Sequence, residues 1–133
     1  MFSSKDYPGA IPDHLVVSRK LLTDRPADVQ KLVNAWFMTI DYMKKNPEKA
    51  AAIMSKRAGV SDAEYKSYEA GTTLFAAPEN TKAFTSGSTR ASLDAATKEV
   101  STFLLDAGFI KNAVDASKLL EPKFVAEYVT SHK

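Results

Sequence analysis

Apolar residues recur at steps of three and four through the first half of this chain. Val29, Leu32, Val33, Trp36, Phe37, Ile40 and Met43 form one run. Such spacing predicts an amphipathic helix whose stripe faces a core, with Trp36 inside it. Thr23 or Asp24 is placed to cap this helix, and Pro26 suits its first turn. Lys44 and Lys45 suit its C-terminal end. "NP" at Asn46 and Pro47 closes it and opens a second helix, which carries Ala50, Ile53, Met54 and Ala58 and stops at Gly59. "SDAE" from Ser61 is a capping box for a third, which presents Tyr65 and Tyr68 and ends at Gly71.

Farther on, the pattern thins. "TTLFAAP" is a weak strand candidate, centred on residues 72–75, and "APENTKAF" offers a short helical turn. Ser88 or Thr89 is placed to cap a long helix with Leu93, Ala96, Val100, Phe103, Leu104 and Ala107 on one face. Gly108 suits a left-handed cap, with Phe109 and Ile110 folding back onto the helix. "DASKLL" makes one turn. Pro122 opens a last helix with Phe124, Val125, Tyr128 and Val129 as its apolar face.

The opening stretch behaves differently. In "YPGAIPDHLVV", Pro8 and Gly9 make a turn and Pro12 bars a regular helix. Leu15, Val16 and Val17 are short, apolar and partly β-branched, which predicts a buried strand. "SRKLLTDRP" then reads as a polar crossing anchored by Leu21 and Leu22. A lone strand leaves its backbone groups unpaired, so its partners are expected outside this chain or in a second copy. The expectation is one mostly α domain over residues 1–133, with one or two short strands. It comprises an N-terminal arm and strand (1–17) and a helical body (24–133). Self-association, most simply as a homodimer, would cover the strand through its own copy or by exchange of the N-terminal arm.

Composition adds mainly exclusions. With 133 residues the chain has room for one core. A 44% hydrophobic and 26% charged composition excludes wholesale disorder. Eighteen basic against 16 acidic residues leave a net charge of +2, which is no footprint for nucleic acid or an acidic membrane. Cysteine is absent, which removes disulfides, thiolate nucleophiles and Cys-based zinc sites. No apolar run approaches the ~20 residues of a membrane span. "MFSSKDYPGA" lacks the basic and apolar regions of a signal peptide.

Catalytic chemistry is sparse. His14 and His132 have no second ligand at i+3 or i+4, so neither a metal site nor a cofactor is expected. Asp24 with Asp28, and Asp62 with Glu64, sit at helix starts, where carboxylates favour the dipole. No nucleophile elbow, P-loop or zinc-protease motif occurs, so the chain is read as no enzyme. From Ala52 to Ala70 the rhythm is that of a helix-turn-helix. However, its second helix offers Lys66 and Ser67 beside Asp62, Glu64 and Glu69, a face that repels phosphates. "FSSKDY" sets hydroxyls and charges just before the strand, where ligand-binding groups often lie.

Taken in order, "SSKDYPGAIPDHLVVSRKLL", the Pro-entered helix centred on Trp36, Asn-Pro-Glu, the Ala-rich helix and Gly-Val-Ser resemble the later part of a known family. This is the solute-binding proteins of ABC importers, in the nitrate, sulfonate, taurine and bicarbonate group. "FLLDAGFI" and "LLEPKFVAEYV" resemble that family's closing helices. The resemblance implies part of one lobe of a two-lobed α/β periplasmic-binding-protein (type II) fold. It implies non-catalytic binding of a small, often anionic solute, delivery to an ABC permease, and a periplasmic location. Ser3, Ser4 and Asp6 are the positions carried over as ligand neighbours. The family's members are about twice this length, and the chain matches only their final portion. The competing expectation is a stand-alone helical interaction or regulatory protein, with DNA binding at Ala52 to Ala70 as its lesser form.

Overall fold

The computed structural model describes residues 12–132, and every structural statement below concerns those residues. The protein is mostly helical. Seven α-helices follow one another: α1 (Arg19–Asp24), α2 (Pro26–Lys45), α3 (Pro47–Ala58), α4 (Asp62–Glu69), α5 (Ala77–Phe84), α6 (Leu93–Asp106) and α7 (Lys123–Ser131). One 3₁₀ turn, Ala116–Lys118, lies between α6 and α7.

The core is the contact of α2 with α7. Val29, Val33, Phe37 and Ile40 of α2 meet Phe124, Val125 and Tyr128 of α7, with Ala76 beside them. Leu21, Leu22, Ala77 and Phe84 close the edges from α1 and α5. The Phe37 and Tyr128 rings pack at 4.7 Å between centroids, a tilted aromatic pair. Gln30 adds a polar tie, its side-chain amide donating to the Phe124 carbonyl at 2.9 Å and to Asn34 at 2.8 Å. α1 is held in turn by Arg19, which donates to the Lys118 carbonyl at 2.9 Å.

Local signals set most helix ends. Gly59 stops α3 at φ 73°, where only glycine is unstrained. Ser61 and Glu64 form the expected capping box: the Glu64 amide donates to the Ser61 hydroxyl, and the Glu64 carboxylate accepts from the Ser61 amide at 2.9 Å. Gly108 adopts φ 74° after α6, and the amides of Phe109 and Ile110 both donate to the Leu104 carbonyl. Pro122 precedes α7 as expected.

Several expectations are corrected. Leu15, Val16 and Val17 form no strand, and no strand occurs among the described residues. Val16 is 84% exposed, Leu15 is also exposed and Val17 is half-buried; with no strand among the described residues to pair with, the expected burial fails. Residues 72–75 are irregular, not a second strand. "SRKLLTD" is not a crossing but helix α1, because the Ser18 hydroxyl caps it by accepting from the Leu21 amide at 3.1 Å. Neither Thr23 nor Asp24 caps α2, whose N-cap is Arg25. The cap of α6 is Ser92, not Ser88 or Thr89. Phe109 does not fold back and stays exposed, while Ile110 is half-buried.

The largest correction concerns Trp36, which is 50% exposed, with Leu32 at 49%. From Leu32 to Phe37 the apolar arc of α2 spans about 140°, at about 100° per residue. The short α7 covers the Phe37 side and leaves the Leu32–Trp36 side open. On α6 the expected apolar face is only partly covered: Leu93, Ala96 and Leu104 are half-buried, Val100 and Phe103 are exposed, and only Ser101 is buried, its hydroxyl accepting from the Val114 amide at 2.8 Å. In α3 the buried face is Ala50, Ala51 and Ser55, while Ile53 and Met54 point outward.

Two outcomes follow from this packing. In dilute solution Phe37→Ala is expected to lower unfolding stability by about 3–5 kcal/mol, whereas Trp36→Ala lowers it by less than about 1 kcal/mol. Urea denaturation of both variants checks this, and equal losses would place Trp36 in the core after all. The second outcome concerns pH. Hydrogen bonds from Arg25 to Asp28, from Ser61 to Glu64, from Arg90 to Glu99 and from Ser117 to Asp115 each hold the carboxyl below its ordinary value. A depressed carboxylate stabilises the fold above the ordinary value and loses that contribution as pH falls through the lowered one. Melting temperature is therefore expected to be flat from neutral to about pH 5 and to drop below about pH 4. Glu64→Gln should make that acid slope shallower, and a melting temperature constant down to about pH 3 would refute the linkage.

Candidate functional site

Because α2 is apolar on two sides, it presents a second, outward face. Leu32, Ala35, Trp36, Met38, Thr39 and Tyr42 are all exposed along it. A shallow hollow of about 330 Å3 opens on this face, lined by Ala35, Met38, Thr39 and Tyr42. These positions stand at i, i+3, i+4 and i+7, the parallelogram that receives a side chain from a packed helix. Ala35 and Thr39 are small and form its floor; Met38 and Tyr42 are large and form its walls. Thr39 is no polar handle toward a ligand, because its hydroxyl donates to the Ala35 carbonyl at 2.7 Å. The face therefore offers shape and apolar area.

A second hollow of about 290 Å3 lies on α6, lined by Arg90, Ala96, Glu99, Val100 and Phe103. Phe103 is 65% exposed there. Arg90 and Glu99 form a two-pronged ion pair across its edge, one prong at 2.8 Å. That pairing satisfies the Glu99 carboxylate and leaves the hollow's free surface apolar.

The α3–α4 hairpin has the expected helix-turn-helix rhythm, and its polar groups are spent on holding it together. Buried Ser55 donates to Asp62, and Lys66 pairs with Glu48 of α3 at 2.8 Å. Hydrogen bonding to Glu48 raises the Lys66 amine above its ordinary value. Outward from α4 remains Glu69, which repels phosphate.

Around Tyr128, burial raises the phenol, with the charge of Asp41 adding to it. His132 stacks on the same ring at 4.2 Å between centroids, and its Nδ1 contacts the Tyr128 carbonyl and the Ser131 hydroxyl. The cluster closes the end of α7.

Ser3, Ser4 and Asp6, the ligand neighbours implied by resemblance, lie outside the described residues. His14 is exposed in the irregular segment before α1, far in sequence from His132. No group of three or more His, Asp or Glu suited to a metal ion occurs among the described residues. Among them, no helix is long and apolar enough to cross a membrane. The sequence periodicity missed the outward face of α2, because it merged two apolar surfaces into one stripe; the signal available was Ala35, Met38, Thr39 and Tyr42 on the opposite side of the helix. No known family, curated protein or solved structure matches this chain.

Proposed function

We propose that this chain is the closing, mostly helical portion of a solute-binding component of an ABC importer, as a fragment or truncated form. It binds without catalysis, and its solute class is a small anion such as nitrate, a sulfonate, taurine or bicarbonate. The supporting sequence feature is the order of the serine-containing opening, the Pro-containing turn, the Pro-entered helix with Trp36, Asn-Pro-Glu and Gly-Val-Ser. The observation that carries the reading is the segment around Leu15 and Val16. It has strand chemistry but lies in no helix or strand, and Leu15 and Val16 face solvent. Such a segment fits a sheet supplied by further chain. Ser3, Ser4 and Asp6 would stand near the solute, and a permease in the inner membrane would receive it from the periplasm.

A second reading has its own support. The outward face of α2 is shaped for another helix, which favours a stand-alone helical interaction protein. The two readings part on ligand binding and on what precedes Met1 in the genome.

A ligand site made from one wall cannot bury most of a small molecule. Calorimetry of the 133-residue chain against nitrate, bicarbonate, taurine and alkyl sulfonates is therefore expected to show nothing tighter than about millimolar, roughly −4 kcal/mol. The reading further expects the reading frame to continue upstream, and the extended protein to bind one of these anions at about micromolar concentration. Micromolar binding by the chain alone would mean a complete pocket and overturn the fragment reading. An extended protein that binds none of them would overturn the solute class.

A further inference from the structure

We infer that the exposed face of α3 docks on an anionic lipid surface, lying along it with Ile53 at the centre of the contact. The inference goes beyond the solute-binding reading and does not rest on it.

Successive residues of α3 turn by about 100°, which sorts its side chains onto opposite faces. Ala50, Ala51 and Ser55 are buried against the fold. Opposite them Lys49 and Lys56 stand in line, two turns apart, with Ala52, Ile53 and Arg57 beside them. All five are exposed, Ile53 at 59%. The groups turned toward α4 are spent on the hairpin, Glu48 on Lys66 and Ser55 on Asp62. Those turned away are not. Every ion pair among the described residues takes its cation from outside residues 44–57. The helix dipole accounts for part of this cluster. Lys44 and Lys45 fall in the last turn of α2, and Lys56 and Arg57 in the last turn of α3, where cations are favoured. It does not account for Lys49, which stands in the first turn of α3, where the dipole opposes a cation. Nor does the core account for Ile53, which takes no part in it.

Charge complementarity identifies the partner. Residues 44–57 hold five basic residues and one acidic one, a local charge of +4, while the whole chain carries +2, so the remainder is net −2. The whole-chain value averages this corner away. Such a distribution turns the molecule in the field of an anionic surface, with the cationic corner inward and the acidic remainder outward.

Ile53 selects the kind of anionic surface. Lys49 stands four residues before it, and Lys56 and Arg57 three and four after, so the cations ring it on the helix. Nucleic acid would set this branched apolar side chain against phosphate. A bilayer takes it into the boundary between headgroups and acyl chains, while the long cationic stems carry their charges out to lipid phosphates. Each cation contributes about a fivefold gain in partitioning, and the apolar side chain about tenfold. A contact of this size is reversible and weakens with salt.

Co-sedimentation of the 133-residue chain with vesicles tests the proposal. Phosphatidylcholine vesicles containing about 30% phosphatidylglycerol are expected to bind the chain at about 50 mM salt and release it at about 500 mM. Vesicles of phosphatidylcholine alone should bind it at least about tenfold more weakly. Neutralising the face as K49Q/K56Q/R57Q should weaken partitioning about a hundredfold, and Ile53→Ser about tenfold. Circular dichroism should not change, because all four side chains are exposed. K82Q/K111Q removes two exposed cations elsewhere and should change partitioning by less than about twofold. Equal binding to the two kinds of vesicle overturns the proposal. A loss in K82Q/K111Q as large as that in the triple variant overturns the assignment to α3. Indifference to Ile53→Ser, or preference for a DNA duplex of about 20 base pairs over the anionic vesicles, overturns the choice of lipid.

Discussion

The contact between Phe37 of α2 and Tyr128 of α7 is the constraint on which the rest of the fold depends. The two helices are distant in sequence, and each brings a row of apolar residues to this one seam. α5 docks on α7 and α1 docks on α2, so both inherit their positions from the seam. The polar tie from Gln30 to the Phe124 carbonyl fixes how far along α2 the last helix sits. In a chain of this size such a seam does most of the work of burial, because conformational entropy offsets nearly everything else.

The seam also explains what is left bare. A helix of nine residues, Lys123–Ser131, cannot cover a stripe about 140° wide on a helix of 20. It takes the side carrying Phe37 and leaves the side carrying Trp36. α6 packs against α5 and is tied through Ser101 to the loop after it, and Val100 and Phe103 stay outside as well. Monomeric proteins rarely leave this many large apolar side chains exposed together without a use for them. The bare faces and the Leu15–Val16 stretch are the apolar surfaces that the fold leaves uncovered.

The α3–α4 hairpin shows the opposite balance. Its turn, caps and ion pair are all local, and its apolar burial is slight. Gly59, the Ser61–Glu64 box and the Lys66–Glu48 pair define it within residues 48–66. The polar groups where its two helices meet are consumed in holding it together.

What the sequence alone determined is the set of features with a local cause. Helices α2, α3, α4 and α7, the left-handed glycines 59 and 108, and the capping box follow from neighbours within a few residues. The mostly helical class follows from them. What only the tertiary structure decided is which side of each helix is covered. Trp36 and Phe37 are adjacent and equally apolar, and periodicity places both on one stripe; the reach of α7 puts one inside and the other out. Leu15, Val16 and Val17 have strand chemistry, but a strand exists only when a neighbouring backbone supplies its hydrogen bonds, and no residue's own propensity can supply that.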